Sequence, residues 1–213
     1  MLGITDFPLF VGAVFLLNVT PGPDTAYIVG RSVAQGRAAG VVSALGVSAG
    51  CCVHSVAIAF GLTALLAASA TAFTVIKFAG AAYLAWLGLR LILQRRTPAG
   101  TQAAAPARPA ARGLRALFMQ GFLTNVLNPK VILFFVSFFP QFVDPHAGHQ
   151  AAAFLVLGGV MVLMSTLWNG LVAWMAGTLT RKVGQAPRLK CWLDRFVGIA
   201  FIGLGARLAL VQR

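Results

Sequence analysis

The sequence predicts an all-α integral membrane protein of six transmembrane helices, arranged as two inverted-topology three-helix repeats with the first helix of each repeat broken. Three observations predict it. The 213 residues are 59% hydrophobic with a mean hydropathy of +0.85 and only 10% charged, more apolar than the usual soluble domain. Short basic segments separate the apolar stretches. Two stretches in corresponding places are each interrupted by a proline element, Asn18-Val19-Thr20-Pro21-Gly22-Pro23-Asp24 and Asn125-Val126-Leu127-Asn128-Pro129-Lys130.

Each span requires about 20 apolar residues to cross the hydrocarbon, so the length allows about six and little else. Met1 to Pro8 carries Asp6 and no basic run. That lacks the pattern of a cleaved signal peptide, and the first apolar stretch is expected to stay in the mature protein. Span one covers residues 4 to 30, broken near Pro21, with Arg31 to Arg37 as its polar exit. Ala38 to Ile76 holds no charge and is too long for one helix, so a turn is placed near Ala67 to Thr74, with span three ending near Leu93.

Gln94 to Arg115 is rich in Ala, Pro and Arg without apolar periodicity, which reads as a flexible linker. Span four runs from about Leu117 to Val143, interrupted at Asn128-Pro129-Lys130, and Asp144 to Gln150 is a short polar loop. Span five covers about Ala151 to Leu179, and after a second basic loop span six occupies Trp192 to Val211. The domain reading is therefore a first repeat over 1–93, a linker over 94–115 and a second repeat over 116–213.

Charge sets the orientation. There are 17 Lys and Arg against four acids, all Asp, for a net charge of +13. Twelve of the cations lie in three short segments: Arg31 and Arg37; Arg95, Arg96, Arg108, Arg112 and Arg115; Arg181, Lys182, Arg188, Lys190 and Arg195. This is the positive-inside pattern and argues against nucleic acid as a partner. Loops one, three and five are then cytoplasmic, with both termini and loop four (Asp144, His146, His149) outside.

The halves resemble each other. At an offset of 107, Phe15-Leu16-x-Asn18-Val19 lies on Phe122-Leu123-x-Asn125-Val126; at 118, Lys77-Phe78-Ala79-Gly80 lies on Arg195-Phe196-Val197-Gly198. Leu87-Gly88-x-Arg90 lies on Leu204-Gly205-x-Arg207 one residue short of that register. Fixed-offset similarity marks a duplication, and three spans per half invert the second copy. Inverted repeats with interrupted helices belong to transporter architectures, whose site lies at the repeat interface.

Asp24 is the only carboxylate, and Lys130 the only cation, well inside an apolar stretch. Each charge at a helix centre costs about 2.5–3.5 kcal/mol on insertion scales. Both are expected to face the interior, either as a structural ion pair or as substrate groups. The candidate substrate-binding residues are Asn18, Pro21, Gly22, Asp24, Asn125, Asn128, Pro129 and Lys130, with Asp24 as the candidate proton-coupling group. The plainer reading of the three Asn residues is capping or interhelical hydrogen bonding, and for Asn169 in span five that reading is preferred.

His54 lies in span two, and as an imidazole, the side-chain type suited to carrying protons, it is a candidate relay, against the commoner role of a neutral packing residue. Cys51, Cys52 and Cys191 are odd in number with no CxxC, which signals neither disulfide nor zinc and reads as buried small hydrophobes. Gly46-Val47-Ser48-Ala49-Gly50 matches G-x-S-x-G but lies in an uncharged helical run without acid or His partners, so a hydrolase is rejected. Gly36, Gly40, Gly46 and Gly50 read instead as small-xxx-small helix contacts. Asp144, His146 and His149 read as a solvated turn, and no cofactor or metal is expected.

Pro21-Gly22-Pro23-Asp24, Gly36-Arg37-x-x-Gly40, Lys77-Phe78-x-Gly80-x-x-Tyr83-Leu84-x-x-Leu87-Gly88 and Asn125-x-x-Asn128-Pro129-Lys130 with Phe139-Pro140-Gln141-Phe142 resemble the LysE/RhtB family of bacterial amino-acid exporters. The resemblance covers nearly the whole chain. It implies a multi-pass protein of the bacterial cytoplasmic (inner) membrane that exports amino acids or close derivatives in exchange for protons, with Asp24 and Lys130 lining the substrate path. A metal-cation or other small-solute exporter of the same superfamily and a non-transporting assembly factor stand as alternatives. The amino acid carried and the oligomeric state stay open, whereas an enzyme is not expected for want of a nucleophile, base or metal set.

Overall fold

In the computed structural model the chain is described over residues 2–62, 113–144 and 146–183, together with isolated helical positions between 75 and 93 and between 199 and 206. The expected turn at Ala67 to Thr74, most of spans three and six, linker residues 94–112 and Cys191 lie outside the described residues, as do the repeat registers at 77–88 and 195–207 apart from isolated positions.

The first expected span is two helices, α1 (Phe7–Val19) and α2 (Pro23–Gln35). Each has 13 residues, about 20 Å at 1.5 Å per residue, too short to cross roughly 30 Å of hydrocarbon alone. Pro21 ends the first because it has no N–H to offer the carbonyl four residues back. Pro23 starts the second, and Asp24 lies in its first turn, where the helix dipole favours an acid.

The polar exit expected at Arg31 to Arg37 is corrected. α2 runs through Arg31 to Gln35, and the chain turns only at Gly36, whose φ of 89° suits glycine. Arg31 is 7% exposed. It stays helical because it shares a face with Tyr27 and Ile28 and finds partners there: its guanidinium donates to Gln35 Oε1 at 3.3 Å and Gln120 Oε1 at 3.0 Å and lies 5.7 Å from the Tyr27 ring centroid. The connection is thus Gly36 alone, and Arg37, the other expected loop cation, is exposed at the start of the next helix.

Next come α3 (Arg37–Ala57), continued by a π-helical segment (Ile58–Leu62), then α4 (Leu114–Val126), α5 (Pro129–Phe138) with a 3₁₀ extension over Phe139–Phe142, and α6 (Gln150–Val183). Arg37–Gly61 and Gln150–Ala176 are long and apolar enough to cross a membrane. Leu114–Val126 with Pro129–Phe142, bent by 48°, supplies a third crossing if the pair is one span.

α3 is the central helix, against α2, α4 and α6. It approaches α4 closely because a Cβ at Gly46 would strike the Phe118 carbonyl and one at Gly121 the Ser43 carbonyl. Gly40 likewise admits the Ser32 side chain of α2, whereas Gly36 has open space around it. Ser48, of the rejected hydrolase motif, is buried and donates to Ala44 O while accepting from Thr166. Cys51 is buried as expected, but Cys52 is exposed, because it falls one residue off the buried face.

At one end Phe10, Phe134, Phe135, Phe138, Phe139 and Phe142 form the largest cluster, closed by Phe154 of α6. Rings meet edge-on at 5.3 Å (Phe10 and Phe139) and stacked at 4.4 Å (Phe135 and Phe139). In a bilayer such a cluster holds through packing, since lipid removes the water that would otherwise drive it together. The same end carries an antiparallel bridge between Ile4 and Val143, with Thr5 N donating to Phe142 O at 2.9 Å. At the other end Tyr27 and Arg31 of α2 bond Leu117 and Gln120 of α4. The two broken segments, α1–α2 and α4–α5, therefore run side by side in opposite directions.

Candidate functional site: a cavity between two broken helices

Antiparallel packing brings the two breaks to the same level. There a cavity of about 40 Å³ is lined by Asn18, Thr20, Gly22, Asp24, Asn125, Asn128 and Lys130, with Ser165 and Asn169 from α6 and Cys51 from α3 among the remaining wall residues. That volume holds roughly three waters, at about 10–15 Å³ each. Six of the eight expected site residues reach it. Pro21 and Pro129 do not line it; they shape it by stopping their helices.

At the first break Leu17 is the carbonyl that would have accepted from residue 21, and Pro21 cannot donate. Lys130 crosses from α5 to supply the proton, its Nζ lying 2.9 Å from Leu17 O and 2.7 Å from Thr20 O. The ammonium thus sits at the negative end of α1, a favourable place for a cation. One of its three donors is left after these two bonds. Gly22, the N-cap of α2, provides no side-chain cap, so the positive end of α2 faces the cavity in backbone amides.

At the second break Asn128 caps α5 itself, its Oδ1 accepting from Lys130 N at 3.0 Å. Asn125 Nδ2 donates to Asp24 Oδ2 at 2.8 Å, a bond between α4 and α2 that joins the two breaks. Asn125 and Asn128 are each 3% exposed. Neither bond set joins Asp24 to Lys130. Asp24 Oδ1 and Asn125 Oδ1 are buried acceptors that complete no hydrogen bond among the described residues, although the Asn128 side chain also lies against the Asp24 carboxyl, and such groups in a native fold require an explanation.

His54 Nε2 lies 3.2 Å from Asn125 O, and its ring centroid is 5.6 Å from that of Phe135. Asn18 donates to Val14 O of its own helix at 3.0 Å while lining the cavity. Across Asn18 lies an apolar groove of about 260 Å³ lined by Phe15, Met164, Leu167, Trp168 and Leu171. Among the described residues no group of three His, Cys, Asp or Glu side chains is placed to hold a metal; Asp144 Oδ1 instead accepts from His146 N in a turn.

Thr20, Thr25, Ser165 and Asn169 were not among the expected site residues. Ser165 and Asn169 carried a usable signal: polar residues four apart on an otherwise apolar helix share one face, and with Met161 four residues earlier that face meets the cavity.

The geometry is matched by relationship. Residues 15–212 match the family model of the LysE type translocator. The chain belongs to the LysE type translocator family. It is a multi-pass membrane translocator and not an enzyme. This translocator is 34% identical over 208 residues to the uncharacterized membrane protein PA4757 of Pseudomonas aeruginosa, covering 98% of this chain and 96% of that one. It is 33% identical over 202 residues to the leucine efflux protein of Klebsiella pneumoniae and 30% to that of Salmonella typhimurium, in each case covering 95% of this chain and 93% of the relative. No solved structure matches it significantly.

Proposed function

We propose that this translocator exports neutral amino acids, leucine among them, from the bacterial cytoplasm in exchange for protons, through a site shared by two inverted halves. The halves are residues 1–93 and 116–213, joined by a cytoplasmic linker over 94–115. Six spans place both termini outside and loops one, three and five inside. The opposite running of α1–α2 and α4–α5 supports inversion, and the names of the leucine efflux relatives support the substrate.

One observation carries the reading. Two acceptors in the wall, Asp24 Oδ1 and Asn125 Oδ1, lack donors, beside an ammonium with a donor to spare and the uncapped end of α2. A zwitterion answers both. Its ammonium bonds Asp24, and its carboxylate bonds Lys130 and the amides of the first turn of α2. The cavity is the size of these two charged groups, and the apolar groove across Asn18 supports an aliphatic side chain lying on that side. Protonation of Asp24 from outside removes the ammonium contact and releases the substrate, and rocking of the halves gives alternating access.

The test is transport of leucine into inside-out vesicles under an imposed pH gradient. The parent chain is expected to accumulate leucine, and Asp24→Asn to lose accumulation by about 100-fold, the loss of a charge-assisted bond and of the titrating group together. Gradient-driven accumulation by Asp24→Asn at the parent's rate would remove Asp24 from coupling. No transport of leucine or any other neutral amino acid by the parent would remove the substrate reading.

A further inference from the structure

We infer that His54 is a positioning residue for transport, holding the carbonyl that Pro129 frees and thereby the Asn125 amide on Asp24. This rests on the site reading above. In an unbroken helix the Asn125 carbonyl would accept from the N–H of residue 129, and proline has none. Asn128 N turns back to occupy one lone pair at 2.9 Å. The second lies 3.2 Å from His54 Nε2, so the ring acts as its Nε2–H tautomer.

The first break is satisfied in the same way. Leu17, four residues before Pro21, also loses its donor and receives a basic side chain, Lys130, from another helix. Each freed carbonyl is thus met by a nitrogen donor from outside its own helix. His54 also rests its ring on Phe135, so it touches both α4 and α5 and fixes the hinge between them. The groups around it are Asp24, reached through the Asn125 side chain, and Cys51, one turn earlier on α3.

Asn125 is the residue whose backbone His54 holds and whose side chain holds Asp24. A shift of its Cα therefore alters how Asp24 is presented to the substrate. The role requires a donor and no change of protonation, which separates it from a proton relay.

The experiment compares the full-length parent with His54→Gln, His54→Leu and Asn125→Ala in reconstituted vesicles, using labelled leucine across a range of pH. Gln places an amide N–H near the position of Nε2. His54→Leu is expected to raise KM about tenfold, the consequence of a buried acceptor losing its donor, with the maximal rate within about twofold of the parent. His54→Gln is expected to restore KM to within about twofold and keep the parent's pH profile. Parent-like KM in His54→Leu would overturn the inference, as would failure of Gln to rescue. A pH profile flattened in both variants would overturn it in favour of a relay. If Asn125→Ala itself transports as the parent does, the site reading falls; if Asn125→Ala is impaired and His54→Leu is not, only the role of His54 falls.

Discussion

The two helix breaks start from similar sequence and end differently. The first spans three residues, Thr20 to Gly22, leaves the end of α2 without a side-chain cap, and has its freed carbonyls bound by a charge from the other half of the chain. The second spans two residues, Leu127 and Asn128, and is sealed without a Lys or Arg: Asn128 caps α5, and Asn128 N covers the Asn125 carbonyl together with His54 of α3, 71 residues away in sequence. One proline break is therefore open and held by a lysine from another helix, the other closed by its own Asn128 cap together with an imidazole from α3. In the proposed site the first offers backbone to the substrate, whereas the second is the frame from which Asn125 and Lys130 reach across.

Lys130→Met tests that difference most strongly. The substitution leaves Leu17 O and Thr20 O without a donor, at about 1–3 kcal/mol for each buried acceptor. It also removes a cation whose placement in the membrane costs about 2.5–3.5 kcal/mol. These terms oppose each other, so the thermal midpoint in detergent is expected to move by only a few degrees. Leucine transport, in contrast, is expected to fall about 100-fold if the site works as proposed, because the substrate carboxylate would lose its charged partner. Transport near the parent's rate with a lowered midpoint would reduce Lys130 to a cap for α1.

That the breaks exist was legible from Pro21 and Pro129, and that Asp24 and Lys130 lie inside at the breaks was legible from their charge, since each is a local property of a few residues in an apolar setting. What each charge bonds was not. The expectation that Asp24 and Lys130 face the interior left a direct ion pair and a substrate role both open, whereas Lys130 caps α1 and Asp24 bonds Asn125. Those partners are 101 to 113 residues away in sequence, and only the helix packing decides them. Arg31 was misplaced for a related reason. Charge alone put it in a loop, but Tyr27 and Gln120 give it a buried seat that hydropathy does not register. Ser165 and Asn169 were within reach of a periodicity argument confined to α6.

The second break depends on α3 at close range, and Gly50→Ala probes that dependence. A Cβ there would lie 2.9 Å from Asn125 Oδ1 and 2.9 Å from the Phe122 carbonyl oxygen. Both belong to the last turn of α4 before the break, so relief requires moving the hinge. The expected cost is about 1–3 kcal/mol, as for other overpacked interiors, with transport reduced about tenfold through displacement of Asn125. Gly159→Ala is the control, since nothing lies within 4 Å of its added Cβ; it is expected to hold or gain up to about 1 kcal/mol from helix propensity. Equal behaviour of the two variants in thermal unfolding would mean that α3 and α4 are free to separate.

Asn128→Ala should give the smallest effect and draws the sharpest line between the breaks. It deletes an N-cap whose oxygen accepts from Lys130 N, a change worth about 1 kcal/mol in most helices. The backbone bond from Asn128 N to Asn125 O survives the substitution, and so does the His54 contact. The seal is then weakened but not opened, and transport is expected within about fivefold of the parent with a midpoint a few degrees lower. A loss as large as that of Lys130→Met, with a folded protein by thermal unfolding, would mean that Asn128 meets the substrate itself and that the second break is as open as the first.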